Sequence, residues 1–572
     1  MKIKHLFGLA VIAAMTASCS SNEDLGTAGP GTGTNETGVG YATFTINLPS
    51  VSGTRAADAG GAEMDEGTAK EYAVKSATAL IFQKYGSDEG SCKFVESVDL
   101  PTAAADWTDD TTDGITTTKK LVAKLTNVDT KNQYYVLVLL NNNKTGGVKV
   151  ALPTVGQSYN EWNSQNLTPS VDDLAADNNF YMANAPLKGT ASPTTLVTIN
   201  KEHIYSSKEK AEAGTSAATV YVERGVAKMS VNDPKTKTVI DKATNTSTQS
   251  TVEFNNWALD ITNRKTYAVH NIDDLSTDFP DIWTTPRFIG TNSRVYWGKD
   301  PNYNLDNLNT GKEAEREREF NFIKATSGIN KTFTESAYCL ENTFNLANMY
   351  QGQTTRVIFK ATYTPKDDAG NPLADKDGTF YTIGNMTTIL KEAALKTAVN
   401  TAATSALPGC TVDYTNLKQE GSHVITLADI KDSNGTTLVA DKVYSGKTGT
   451  EIVKEINDKL GLIDGAGHAE AMVGINTYAQ GVTYYIARVK HFGSLTPWNS
   501  GESYGTDNGK YLGRYGMLRN NWYELKVGNV YGPGYPGVPP VDPNQPDDEN
   551  EKYLSVSVKI LSWAKRSDTV DL

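Results

Sequence analysis

The chain has 572 residues, enough for several domains of about 150 residues, and carries a net charge of −12. That charge argues against nucleic acid or an anionic lipid surface as a partner. Its four cysteines, Cys19, Cys92, Cys339 and Cys410, are too widely spaced for a disulfide framework or a zinc site. At most one pair could form among the last three.

The first 18 residues have the features of a secretory signal. Lys2 and Lys4 form a basic start, and an apolar stretch, too short to span a membrane, precedes the small residues Thr16-Ala17-Ser18 and Cys19. This pattern predicts a bacterial lipoprotein in which Cys19 becomes the lipidated first residue, so that the precursor contacts the membrane only through its lipid. The alternative is an ordinary secreted protein cut nearby, with Cys19 incidental.

The first predicted strand lies in the stretch YATFTINL, where apolar residues alternate with polar ones. Phe44, Ile46 and Leu48 fall on one face of this strand. The loop SVSGTRAADAGG follows, and Arg55 in it is the only lysine or arginine between residues 5 and 69. An isolated cation among small residues predicts a cut after Arg55 by an arginine-specific protease, and the alternative is a passive loop.

The rest of the chain is predicted to be mainly β, with two β-sandwich domains in tandem and a few short helices. Apolar and aromatic runs closed by turn residues indicate strands, and QYYVLVLLNNN is typical of a central one. The domains are predicted at 56–215 and 216–530, joined near residues 210–220. Residues 356–384 are interpreted as a hairpin with a long Asp/Gly/Pro-rich turn. Helical spacing is found within 385–406 and 451–462.

The end of the chain combines a proline-rich segment with one more strand. Residues 531–552 contain many prolines and no apolar periodicity, which predicts an extended, semi-rigid arm. Beyond it, in 553–572, the pattern predicts a strand whose apolar set is Leu554, Val556, Val558, Ile560, Leu561 and Trp563. The alternation shifts after Ile560, so either the strand has a bulge or Trp563 anchors it from the other face.

The two terminal strands suggest one shared mechanism. A cut after Arg55 would free the first strand, and its loss would open a groove for strand addition by the last strand of another copy. Four buried aliphatic side chains would contribute about 6–12 kcal/mol before ordering costs. Such head-to-tail contacts build an open filament. The alternative is that both strands stay in the chain's own sheets.

No catalytic, cofactor or metal motif is found. The sequence DKDG at 375–378 lacks the further ligands of a calcium loop and is interpreted as a turn. The sequence therefore predicts neither an enzyme nor a cofactor-binding or metal-binding protein.

The chain resembles the fimbrillins of Bacteroidales type V pili, and most closely the shaft subunits of the short (minor) fimbriae. The resemblance rests on the lipobox at Cys19, SGTRAAD, YVERGVAKMSV, YGMLRNNWYELKV and the tail YLSVSVKILSWAKRSDTVDL. Its most specific pieces are this tail and the set Arg519, Asn520, Asn521 and Tyr523, which is similar to a penultimate-strand motif of the family.

The resemblance implies two transthyretin-like β-sandwich domains and a C-terminal donor strand. It implies removal of the lipid and of propeptide 19–55 between Arg55 and Ala56 by a gingipain-like protease, and then polymerisation by strand exchange. The implied partners are copies of the chain, anchor and tip fimbrial subunits, and host or bacterial surface receptors, in a surface fimbrium that supports adhesion, biofilm formation and virulence. The alternative function is a surface lipoprotein that stays anchored and binds glycans or host protein through aromatic loops such as the one with Tyr296 and Trp297.

Overall fold

The computed structural model describes residues 34, 38–48, 64–65, 67–102, 118–129, 131–189, 192–285, 288–289, 294–305, 308, 311–384, 386–462, 474–492, 511–547 and 554–563. Within these residues the fold is mainly β with a few short helices, which confirms the coarse prediction. None of the described helices is long and apolar enough to cross a membrane.

The strands are numbered in chain order as follows: β1 Gly40–Asn47, β2 Met64–Asp65, β3 Ala77–Gln83, β4 Lys93–Leu100, β5 Thr118–Leu125, β6 Tyr134–Leu140, β7 Asn143–Lys144, β8 Gly147–Val148, β9 Ala175–Ala176, β10 Asn179–Phe180, β11 Met182–Asn184, β12 Leu187–Lys188, β13 Pro193–Thr194, β14 Val197–Thr198, β15 Ile204–Tyr205, β16 Ala218–Arg224, β17 Ala227–Val231, β18 Thr236–Asp241, β19 Thr246–Asp260, β20 Thr262–Asn263, β21 Phe320–Asn321, β22 Ala337–Cys339, β23 Arg356–Thr364, β24 Phe380–Ile383, β25 Thr411–Val412, β26 Gly421–His423, β27 Ile430–Lys431, β28 Val443–Tyr444, β29 Lys447–Thr448, β30 Ile475–Tyr478, β31 Val482–Arg488, β32 Asn521–Val530 and β33 Leu554–Trp563.

The α-helices are α1 Ala69–Tyr72, α2 Tyr159–Asn163, α3 Val171–Leu174, α4 Lys208–Ala213, α5 Leu275–Asp278, α6 Glu313–Glu319, α7 Glu392–Ala406 and α8 Gly449–Leu460. Short 3-10 helices lie at Lys201–His203, Ile282–Thr284, Thr326–Gly328, Leu346–Asn348, Leu427–Asp429 and Ala479–Gly481.

The N-terminal part of the chain builds a nine-stranded sheet around one hydrophobic core. Its strand order is β15-β1-β16-β11-β6-β3-β4, with β5 paired to β1 and β14 paired to β6. Strand β6 lies inside the sheet, and Val136, Leu137, Val138, Leu139 and Leu140 are fully buried. This arrangement confirms the prediction of a central strand that is apolar on both faces.

The C-terminal part builds a second nine-stranded sheet with a separate core. Its order is β2-β33-β32-β18-β19-β23-β31, and β17 pairs with both β32 and β22. Met229, Trp257, Phe359, Tyr485 and Leu525 are among the buried residues of this core. The first and last strands of the protein therefore lie in different sheets.

The chain passes from the first sheet to the second at Gly225. Val220 and Val222 on β16 belong to the first core, whereas Met229 on β17 belongs to the second. The predicted boundary after residue 215 is therefore corrected to the β16–β17 junction, because β16 occupies a place beside β1 in the first sheet. A Cβ atom at Gly225 would lie 2.7 Å from the Tyr181 ring, so the close approach at this junction favours glycine.

A helical insertion separates β23 from β31. The two predicted helices are confirmed as α7 and α8, and they share a core with β24 and β30. Thr448 and Glu451 form a capping box at the start of α8, and Gly461 ends the helix in the left-handed conformation. The predicted hairpin over 356–384 is wrong, since β23 pairs with β19 and β31 while β24 pairs with β30.

The proline-rich segment lies along the second sheet over its described residues, 531–547. Tyr535 exchanges two backbone hydrogen bonds with Tyr484 on β31. Arg356 on β23 donates to the carbonyl oxygen of Pro539 at 2.6 Å, and Thr354 donates to Asp547 at 2.6 Å. The arm predicted to extend from the domain is folded back onto it here, because its carbonyl oxygens satisfy buried donors such as Arg356.

Candidate functional site

Strand β1 lies in the interior of the first sheet. It pairs antiparallel with β5 over its whole length, from Gly40 opposite Leu125 to Asn47 opposite Thr118. On its other side it pairs with β15 and then runs parallel to β16 from Phe44 to Asn47. A strand with neighbours on both sides cannot be removed without leaving an open slot in the sheet.

The core-facing side of β1 is apolar and completely covered. Ala42, Phe44 and Ile46 have no exposed surface, and Leu48, directly after the strand, is 3% exposed. The predicted members of the displaced strand, Phe44, Ile46 and Leu48, are therefore brought together in one core with β5 and β16. Removal of β1 would uncover this apolar face.

The opposite side of β1 is polar and makes specific hydrogen bonds. The Thr43 hydroxyl donates to the Ala211 carbonyl oxygen of α4 at 2.6 Å, and this contact is buried. The Thr45 hydroxyl shares a 2.6 Å hydrogen bond with that of Ser216. The Asn47 side chain accepts from the Thr118 hydroxyl at 2.7 Å. The slot therefore has three polar positions at two-residue spacing behind its apolar face.

Strand β33, the predicted donor strand, pairs antiparallel with β32 of the same chain. Val556 lies opposite Val527, Val558 opposite Leu525 and Ile560 opposite Tyr523. Val556 and Val558 are only half-buried against the second core. The two-residue strand β2 pairs with the end of β33, at Ser562 and Trp563.

The register of β33 bears on the predicted bulge. Pairing with β32 is regular from Val556 to Ser562, a range that contains Ile560 and Leu561. The irregularity lies instead between Val527 and Val530, opposite the start of β33, so that the extra residue belongs to β32. The alternative in which β33 itself bulges after Ile560 is therefore wrong for this paired state.

Glu71 and Lys228, which the sequence analysis did not identify, hold the segment that follows the predicted cut. Glu71 on α1 is buried, with the Lys228 ammonium group at 2.8 Å and the Tyr338 hydroxyl donating at 2.6 Å. Burial opposes ionisation of Glu71, but these contacts outweigh it and keep the pKa of the carboxyl below its ordinary value. Lys228 lies 157 positions away, so no local pattern could have paired it with Glu71.

Lys228 and Arg224 connect the segment that begins with α1 to both sheets. The Lys228 ammonium group lies 3.5 Å from the centre of the Trp522 ring on β32, a cation–π contact. Arg224, at the end of β16, donates to the backbone carbonyl oxygen of Glu71 at 3.0 Å. Residues from α1 onward are thus anchored independently of β1.

The Arg519–Tyr523 set organises the start of β32. Arg519 forms a buried ion pair with Glu341 at 3.0 Å, and Asn520, at a φ of 59°, accepts from the Arg224 backbone N–H at 3.0 Å. The Tyr523 hydroxyl contacts His491 Nδ1 at 2.7 Å and accepts from the Leu518 N–H. These contacts fix the strand on which β33 lies and join it to the end of β16.

Other predicted residues lie elsewhere. Cys19, Arg55 and Ala56 fall outside the described residues. Cys92, Cys339 and Cys410 are buried free thiols, and burial raises the pKa of Cys339 to about 12. Across the described ranges, no group of three His, Cys, Asp or Glu side chains could hold a metal ion.

The aromatic loop proposed for glycan binding is not an exposed surface. Trp297 has no exposed area and Tyr296 is 5% exposed, and both pack in a cluster with Phe288 and Phe492. Aromatic rings that bind sugars must be accessible to the ligand. This loop therefore gives the alternative function no support.

The C-terminal region is similar to a known protein family. Residues 476–569 match the family model described as "Major fimbrial subunit protein type IV, Fimbrillin, C-terminal". The match covers 94 of the 572 residues, so the C-terminal part of this chain is similar to that of the fimbrillins. The matched range contains β31, β32, the Arg519–Tyr523 set and the backbone of β33. The family model describes a subunit of fimbriae, which agrees with the resemblance found in the sequence.

Solved structures with similarity to this chain include fimbrial proteins. A Parabacteroides distasonis ATCC 8503 protein provisionally named for cell adhesion is 10% identical, with 92% of this chain and 98% of that chain covered at a TM-score of 0.36. A fimbrial assembly protein of the same organism is 12% identical, with 56% and 81% covered at a TM-score of 0.26. The C-terminally truncated tip fimbrial protein Mfa3 of Porphyromonas gingivalis is 11% identical, with 91% and 100% covered at a TM-score of 0.29. No curated protein matches the chain.

Proposed function

We propose that this protein is a fimbrillin shaft subunit that is exported as a lipoprotein through Cys19, cut after Arg55, and polymerised head-to-tail by strand exchange. Its tandem domains are of the transthyretin-like type, and its partners are further copies, anchor and tip subunits, an arginine-specific protease and surface receptors in adhesion. The observation that carries the proposal is the interior position of β1. The segment that contains Arg55 joins this strand to the part of the chain that follows it.

The difference in burial between β1 and β33 favours movement of β33 into the β1 slot of a neighbouring copy. Phe44 and Ile46 on β1 are completely buried, whereas Val556 and Val558 on β33 are half-buried on their own sheet. Each aliphatic side chain gains about 1.5–3 kcal/mol on full burial. Movement of β33 from β32 into the β1 slot of a neighbour would therefore bury apolar area that the monomer leaves partly exposed.

The contacts of Glu71 restrict what a cut can release. Its ion pair with Lys228 and the Arg224 hydrogen bond hold α1 between the two sheets. A cut after Arg55 consequently breaks the covalent link to the N-terminal piece with β1, while the chain that follows the cut remains attached to the body from α1 onward. Once a donor strand has displaced β1, the processed chain keeps both cores except for the contribution of β1.

The test is treatment of the purified full-length chain with an arginine-specific protease. We expect an N-terminus at Ala56 and a ladder of multimers on unheated gels. Arg55→Lys is the matched control, because it keeps the charge but removes the arginine, and Arg55→Ala removes both; neither variant should be cut or polymerise. A stable monomer after complete cleavage at Arg55 would show that the proposed mechanism is wrong.

A further inference from the structure

The last strand repeats the chemistry of the first strand position by position. Residues 41–48 read YATFTINL and residues 553–560 read YLSVSVKI. Both begin with tyrosine, both place a hydroxyl residue at the third and fifth positions, and both place an aliphatic or aromatic residue at the second, fourth, sixth and eighth. Two strands that only needed an apolar face would agree in their alternation but not in the placement of their hydroxyl groups.

The slot around β1 gives those hydroxyl positions a physical meaning. At the third position Thr43 donates to the Ala211 carbonyl oxygen, and at the fifth Thr45 bonds to the Ser216 hydroxyl. A side chain without a donor at the third position would leave the Ala211 oxygen without this buried bond, which costs free energy. The slot therefore selects a strand with hydroxyl groups at two-residue spacing.

We infer that β33 of one copy enters the β1 slot of a second copy in a single register, with Ser555 at the position of Thr43 and Ser557 at that of Thr45. Val556 then replaces Phe44, and Val558 replaces Ile46. The inference rests on the proposed strand exchange and deepens it, since it assigns the residues that set the register. The Ser555 hydroxyl donates to Ala211 and the Ser557 hydroxyl pairs with Ser216 of the accepting copy.

Shifts by one residue are excluded by the faces of the strand. A slip of one position would turn Val556 and Val558 toward the polar side and place the serines in the core. Shifts by an even number of residues keep the apolar side chains of β33 inward. The nearest alternatives to the inferred register are therefore shifts of β33 by two residues in either direction.

Both of these alternatives place unsuitable residues in buried positions. In the first alternative Ser555 lies at the Thr45 position. Tyr553 would then replace Thr43, which is 1% exposed. Lys552 would replace Ala42, which is fully buried. A charged side chain in that core position is strongly unfavourable. If instead Ser557 lay at the Thr43 position, Ser562 would replace Leu48 and Leu561 would replace Asn47, which accepts from Thr118.

The inferred register also keeps the packed volume nearly constant. Ala42, Phe44, Ile46 and Leu48 carry sixteen side-chain carbon atoms, and Leu554, Val556, Val558 and Ile560 carry fourteen. The larger second residue compensates for the smaller fourth one. Hydrophobic substitutions that conserve total volume are the ones that packed cores tolerate best.

The register is tested by disulfide formation in the full-length chain. Each of Ser555→Cys, Ser557→Cys and Lys559→Cys is combined with Ser216→Cys, and each double variant is cut with the arginine-specific protease and oxidised. We expect an intersubunit disulfide at least tenfold more abundant for the Ser557 variant than for the other two. The matched control is Thr45→Cys with Ser216→Cys, which should link within the uncut chain because the replaced hydroxyl oxygens are 2.6 Å apart.

The outcomes separate the register from strand exchange itself. A dominant disulfide from the Ser555 or Lys559 variant would overturn the register and leave strand exchange standing. Multimers in which none of the three variants links to residue 216 would overturn the assignment of β33 to the β1 slot. Absence of multimers after complete cleavage would overturn both the inference and the proposed function.

A second measurement tests the hydroxyl groups. Ser555→Val removes the donor to Ala211, and Ser555→Thr keeps it. In the monomer the Ser555 side chain lies in an exposed contact with Asn529, so neither variant should prevent folding. We expect polymerisation of the valine variant to be about tenfold weaker and that of the threonine variant to be nearly normal. Equal polymerisation of the two variants would contradict the role of this hydroxyl.

Discussion

At the scale of single residues, neighbours on α1 form ion pairs of very different kinds. Lys70 pairs with Asp177 at 2.6 Å, but both side chains are largely exposed, at 60% and 65%. Glu71 pairs with Lys228 at 2.8 Å, and each side chain is 3% exposed. Water and salt screen the first pair, whereas the second is shielded from both, and loss of one partner leaves the other charge buried.

Substitution of Lys228 should therefore destabilise the protein strongly. We expect Lys228→Ala to lower the free energy of unfolding by about 3–5 kcal/mol, because Glu71 loses its buried partner. Lys70→Ala, which removes the exposed pair one residue away, is the matched control and should leave the urea midpoint nearly unchanged. Unfolding followed by tryptophan fluorescence measures both variants, and equal midpoints for them would contradict this account of Glu71.

The same ion pair predicts a dependence on pH. Since the pKa of Glu71 is lower in the folded chain than its ordinary value of 4.5, its contribution to stability is present above that value. The contribution is lost as the pH falls through the folded pKa. The difference in urea midpoint between the native chain and Glu71→Gln should be largest at neutral pH and shrink below pH 4.5. A constant difference across that range would exclude ionised Glu71 as its source.

At the scale of elements, sequence periodicity predicts individual strands and helices well and their partners poorly. The alternation around Phe44 predicts both β1 and its buried face, and helical spacing predicts α7 and α8. The neighbours of β1 come from 118–125 and 218–224, and no local pattern encodes such distant pairing. The predicted hairpin over 356–384 failed for this reason, since the insertion placed its two strands in different sheets.

The boundary between the two structural units was also poorly predicted by local sequence patterns. The polar stretch before residue 218 has the composition of a linker, yet Ser216 and Ala211 contact β1 and belong to the first structural unit. The change of sheet occurs at Gly225, inside the stretch 218–231, in which the residues on both sides have the composition of strands. Local sequence patterns likewise could not predict the Glu71–Lys228 ion pair, because the two residues come from different elements far apart in the chain.

Removal of β33 as an element should separate folding from assembly. Truncation after Asn550 uncovers the edge of β32 and removes the half-buried Val556 and Val558, so we expect a folded subunit that is about 2 kcal/mol less stable. The truncated chain should be cut after Arg55 but form no multimers. The matched control removes only residues 564–572, keeps β33 and should polymerise. Filaments formed by the longer truncation would show that the tail is not the donor.

At the scale of the whole molecule, the terminal strands β1 and β33 lie in different sheets, and β1 is the more deeply buried of the two. Strand β1 pairs along its full length with β5, and together with Leu48 it adds four buried apolar side chains to the first core. The three large ones, Phe44, Ile46 and Leu48, are together worth about 5–9 kcal/mol before ordering costs. A cut after Arg55 alone should therefore leave the N-terminal fragment bound, because cleavage removes a covalent link but none of these contacts.

Release of this fragment should accordingly depend on the arrival of another copy. In the protease-treated chain truncated after Asn550, we expect the fragment ending at Arg55 to remain with the monomer in a one-to-one ratio. In the full-length chain it should be absent from multimers, since β33 of the next subunit takes its place. Mass spectrometry of fractions separated by size measures both ratios. A one-to-one content of this fragment in filaments would mean that the tail pairs with another edge, whereas its loss from the truncated monomer would mean that the slot opens before the donor arrives.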